Sequence, residues 1–128
     1  MQLLELLSKV RNQLGVSKDD DKRTAADATA SFEMKQALTH CQSAFQGIVA
    51  HLGVFDFTPT VERRIIPAQT EAYRLLRLAN VNAIRLSAAK QPETVERLRS
   101  QLLSQTESVI GFVQVIKSAV EEDGSDAN

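Results

Sequence analysis

Between Thr58 and Pro92, positions Val61, Ile65, Ala68, Ala72, Leu75, Ala79, Asn82, Leu86 and Ala89 recur by alternating steps of four and three. That spacing is the mark of one helix face pressed against other helices, and it restricts the chain more than any other feature does. Leu76, Val81 and Ile84 form a second set that widens the face, so this helix is expected to touch neighbours on two sides. No glycine interrupts the run, and its Leu, Ala, Arg and Gln residues are strong helix formers. If continuous it is roughly 40–45 Å long at 1.5 Å per residue. Pro67 is the exception. It removes a backbone donor and crowds the preceding turn, which predicts a kink or a break between Arg63 and Ile66.

The same reasoning gives three further helices. Leu3, Leu6, Leu7, Val10 and Leu14 line a short first helix, with Gly15 placed to stop it. A second runs from about Thr24 to Leu52 on a stripe of Met34, Leu38, Cys41, Phe45, Ile48 and Leu52. Gly53 is expected to end it as a left-handed cap, with Val54 folding back on the last turn. Thr58 and Pro59 suit the cap and first turn of the central helix. A fourth helix opens at Pro92 or Thr94. Its inner face is Val95, Leu98, Leu102, Val109, Phe112, Ile116 and Ala119, joined by Ile110 and Val113. Gln105 interrupts that face and is placed near Asn82 as a polar partner; Gly111 weakens the helix or permits close packing.

Short connections after Leu52 and Lys90 make sequential helices antiparallel. The expected fold is all-α, an up-and-down antiparallel helical bundle of one short N-terminal helix and three long ones. An extended coiled coil is the alternative, disfavoured by the short turns and one-domain length. Residues 1–121 read as a single domain and 122–128 as an acidic disordered tail. Few aromatics, with no tryptophan, suit packed helices better than sheets.

Composition also narrows function. A formal charge of −1 argues against general nucleic-acid binding, which leaves a basic footprint. No run reaches the length of a membrane span, and the first helix lacks a strongly basic face for membrane-surface anchoring. The N-terminus lacks the basic start of a signal peptide, and a single cysteine permits no internal disulfide, so the reading is cytoplasmic. Cys41, on an apolar stripe, reads as a small core residue. Asp19, Asp20 and Asp21 lack the spacing of a calcium loop and fit the start of the second helix by its dipole. His40 and His51 are roughly 16 Å apart along one helix, too far to share a metal. Neither a phosphate-cradling glycine loop nor any nucleophile–base pattern is present, so no catalytic residue, cofactor or metal is expected.

Two features suggest binding. From Arg63 to Arg99 there are eight basic residues and three acids, and arginine outnumbers lysine seven to one. Arg63, Arg74 and Arg85 recur every eleven residues, close to three turns, with Arg77 beside them. The stripe is either a solvated face, locally paired as Glu71 with Arg74, or a docking surface for an acidic protein. Phe55 and Phe57, in the connector before Thr58, either plug the end of the bundle or form an exposed docking tip.

Gln69-Thr70-Glu71, Leu76-Arg77-Leu78, Leu86 and Ala88-Ala89-Lys90-Gln91-Pro92 resemble the signature of the PatD family. These are small cyanobacterial proteins that influence heterocyst frequency and cell division. Weaker similarity extends back through Cys41–Gly53, about half the chain in all. Lys90 stands where the family usually has arginine, and Asn82 near a usual acid. The resemblance implies a non-enzymatic cytoplasmic regulator that binds the tubulin-like division protein FtsZ and promotes or bundles its filaments. FtsZ is acidic, which gives Arg63, Arg74, Arg77 and Arg85 a role in docking. The alternative is a structural adaptor or homodimerisation module using Phe55 and Phe57 or an unused helix face.

Overall fold

Four helices account for nearly all of the backbone in the computed structural model, which describes residues 2–16 and 25–126. They are α1 (Gln2–Val16), α2 (Ala25–Leu52), α3 (Pro59–Ala88) and α4 (Pro92–Asp126). The chain is all-α, with one short helix and three long ones packed antiparallel. The acidic connector with Asp19 to Asp21, the expected helix start at Thr24, and residues 127–128 lie outside the described residues. Helix α4 stays helical to Asp126, past the residue at which the tail was placed.

Among the described residues the backbones of adjacent helices run side by side: α1 beside α2 and α4, and α3 beside α2 and α4. The most extensive contact is between α3 and α4. The centre is filled by Leu3, Leu7, Val10 and Leu14 of α1 and by Leu38, Cys41 and Phe45 of α2. Ala72, Leu76, Ala79 and Ala83 of α3 meet them, as do Leu102, Val109, Val113 and Ile116 of α4. Small alanines on α3 let the long helices approach closely while leucines fill the space opposite. A smaller cluster of Val61, Ile65 and Ala119 closes the end near the α2–α3 connection.

Two amide pairs set the register of α3. Asn80 donates to Gln42 on α2 at 2.9 Å. Asn82, 7% exposed, donates to Gln105 on α4 at 3.1 Å, the partnership expected from their positions. Thr106, fully buried, satisfies its hydroxyl by donating to the Leu102 carbonyl at 2.7 Å.

Several local expectations change. Helix α3 runs unbroken through Pro67. Proline forfeits only one bond of the ladder, and Pro67 and Arg63 are both exposed, while Ile65 and Ala68 beside it are buried. Packing therefore carries the helix across the gap. The described helix α1 ends at Val16, one residue past Gly15. Among the described residues no glycine has positive φ, so Gly53 is not a left-handed cap. The chain leaves α2 instead through tight turns, in which the amides of Val54 and Phe55 donate to the carbonyls of His51 and Leu52. Val54 is exposed rather than folded back. Gly111 is exposed with open space above it, so it serves no close packing. Thr58 does cap α3: its hydroxyl accepts from the Val61 amide at 3.4 Å, with Pro59 at the first helical position.

Candidate partner-binding face

The buried side of α3 is Val61, Ile65, Ala68, Ala72, Leu76, Ala79, Asn82 and Ala83. Counted at about 100° per residue, Arg63, Arg74 and Arg85 fall on the opposite side, drifting by only about 20° from one to the next. Arg77 lies on the adjoining edge, and all four are exposed. Because Pro67 does not break the helix, Arg63 and Arg85 stand on one continuous helix, roughly 33 Å apart measured along it.

Their pairing differs. The Arg74 guanidinium donates to the Glu71 carboxylate at 2.8 and 3.2 Å. That bond holds the Glu71 carboxyl below its usual range and raises Arg74. Arg77 lies over the Tyr73 ring, 5.9 Å from its centroid. Arg63, Arg77 and Arg85 make no ion pair among the described residues. Arg64, one residue from the line, instead binds Glu122 and ties α3 to α4. The local-pairing account thus covers Arg74 and leaves the other three charges open to solvent.

The two phenylalanines part company. Phe57 is half-buried against the Val61–Ile65–Ala119 cluster, and so helps to close that end. Phe55 is 53% exposed, its ring 5.0 Å from His51 edge-on and 5.9 Å from Phe57.

A further element of the face escaped the sequence reading. Val81 and Ile84 were expected to widen the packed side, yet both are exposed, together with Ile66 and Tyr73. The signal was available in the phase: Ile84 is twelve residues from Ala72, about 120° around the helix, and Val81 is about 180° away. Leu76, four residues from Ala72, does join the core.

Two clefts flank the face or lie apart from it. One, about 500 Å³, sits at the α3–α4 turn between Arg85, Ala88, Thr94, Arg97, Leu98 and Gln101. The other, about 630 Å³ and mostly apolar, lies between the C-terminal ends of α2 and α4 beside Leu3 of α1. His51, Lys117 and Glu121 border it. Cys41 is buried in the core, and desolvation pushes its thiol up to about 11.

Comparison with protein-family models, with curated proteins and with solved structures produced no match. Among the described residues, no helix is long and apolar enough to cross a membrane.

Proposed function

We propose that this chain is a non-enzymatic, cytoplasmic regulator that binds an acidic protein through the outward side of α3, and that the partner is FtsZ, whose filament assembly it modulates. The observation that carries the reading is the set of three exposed guanidiniums, Arg63, Arg77 and Arg85, without carboxylate partners among the described residues. Arginine presents a flat, weakly hydrated fork suited to carboxylates, and a line of them on a rigid helix steers an acidic surface into place. The choice of FtsZ rests on the motif resemblance alone.

The test is co-sedimentation of Arg77→Glu/Arg85→Glu with purified FtsZ polymers at low salt, with helicity monitored by circular dichroism. The variant is expected to stay helical and lose pelleting. Unchanged pelleting removes the arginines from the mechanism. The second reading, an adaptor or homodimer module, is favoured by the exposed Val54 and Phe55 at the α2–α3 tip. A tight dimer by light scattering, abolished by Phe55→Ser and accompanied by no effect on FtsZ, selects it.

A further inference from the structure

The outward side of α3 is apolar as well as charged. Ile66 is 57% exposed and Ile84 56%, with Tyr73 and Val81 exposed between them. Ile66, Tyr73 and Ile84 are separated by seven and eleven residues, intervals that return to the same side of a helix within about 20°. Among the described residues no helix covers them, because α3 packs on the bundle through its other side. The stripe is roughly 27 Å long and is edged by Arg63, Arg74 and Arg85. A line of large apolar residues flanked by charge is one half of a helix–helix seam.

We propose that the occupant of this face is an amphipathic α-helix of an acidic protein, about five turns long. Its apolar residues lie against Ile66, Tyr73, Val81 and Ile84, and its carboxylates lie beside the arginines. This rests on the reading that α3 receives an acidic protein, and adds which element of that protein binds. Charge complementarity decides between occupants. In a two-fold antiparallel pairing of two copies, Ile66 of one meets Ile84 of the other. The same pairing brings Arg63 alongside Arg85 of the other copy and Arg74 alongside its own counterpart. Like charges so placed oppose the association that the isoleucines favour. Carboxylates in place of the second set of guanidiniums turn the repulsions at Arg63 and Arg85 into pairs, Arg74 being already held by Glu71. An unstructured acidic segment satisfies the arginines but leaves the isoleucines wet.

The probe is a labelled synthetic peptide of about 21 residues with leucines in a heptad seam and glutamates at the flanks. A scrambled peptide of equal composition is the control, and binding to the full chain is read by fluorescence anisotropy. The ordered peptide is expected to bind at least about ten-fold more tightly than the scrambled one. That preference should vanish in Ile66→Gln/Ile84→Gln, whose exposed positions leave helicity unchanged; Tyr73→Gln serves as a second variant. Equal binding of both peptides, or no binding of the ordered one, overturns the proposal. So does a dimer of the chain alone that is broken by the isoleucine changes. The FtsZ assay is separate. Peptide binding without FtsZ pelleting refutes FtsZ as partner and keeps the helix-binding face, and pelleting without a peptide preference does the reverse.

Discussion

Replacing Gln105 by leucine tests how α3 is held against α4. Asn82 is 7% exposed and donates its amide to Gln105 at 3.1 Å, whereas Gln105 itself is half-buried. Gln105→Leu leaves the buried Asn82 amide without this acceptor, at a cost of about 1–3 kcal/mol. Half-burial of a leucine returns roughly 1 kcal/mol. The expected net loss is up to about 2 kcal/mol. Asn82→Leu is gentler, because Gln105 can reach water once its partner is gone. With both positions leucine no polar group is stranded, and stability should return to near or above the starting value. The double-mutant cycle therefore predicts a coupling of about 1 kcal/mol or more. Urea denaturation followed by circular dichroism measures all four proteins. If the two single changes add to within about 0.3 kcal/mol of the double, the amide pair does not set the register.

Burial of Cys41 gives a pH dependence. Its thiol rises from an ordinary 9.0 to about 11 in the folded chain. The folded state thus favours the neutral thiol, so the stability this contributes is full below about pH 9 and is lost as pH climbs through about 11. The loss, about 2–3 kcal/mol, should appear in urea titrations across that window and be absent in Cys41→Ala. Pro67→Ala restores a helical N–H at an exposed position and should raise stability by about 1–3 kcal/mol. A lower melting temperature for that variant would contradict the account of α3 as an unbroken, packing-held helix.

The number and direction of the helices are legible because Leu3, Leu7, Leu38, Phe45, Leu102 and Val109 repeat at the period of a helix and the connections between helices are short. Asn82 and Gln105 could be paired because each interrupts an otherwise apolar stripe near the same turn. What misled was apolarity without phase. Ile84 and Val81 are hydrophobic, yet their angular positions put them outward. Pro67 does not break α3, because the buried Ile65 and Ala68 beside it offset its local penalty. Gly53 was read from its residue type, while the backbone had another way to satisfy the last carbonyls of α2. The arginine line was visible by spacing, but which of its members are already paired depends on side-chain geometry that spacing does not contain.

The ring of side-by-side helices sets an order of assembly. Helices α3 and α4 are adjacent in sequence, joined by the turn at 89–91, and share the broadest interface. Contacts between chain neighbours carry a small loop-closure penalty, so this hairpin is suited to form early and open last. Helix α1 lies beside α2 and α4, so its fraying uncovers part of α4 but leaves the α3–α4 interface itself in place. A partner gripping the outward side of α3 therefore holds the most persistent part of the molecule, while the opposite edge stays free to breathe.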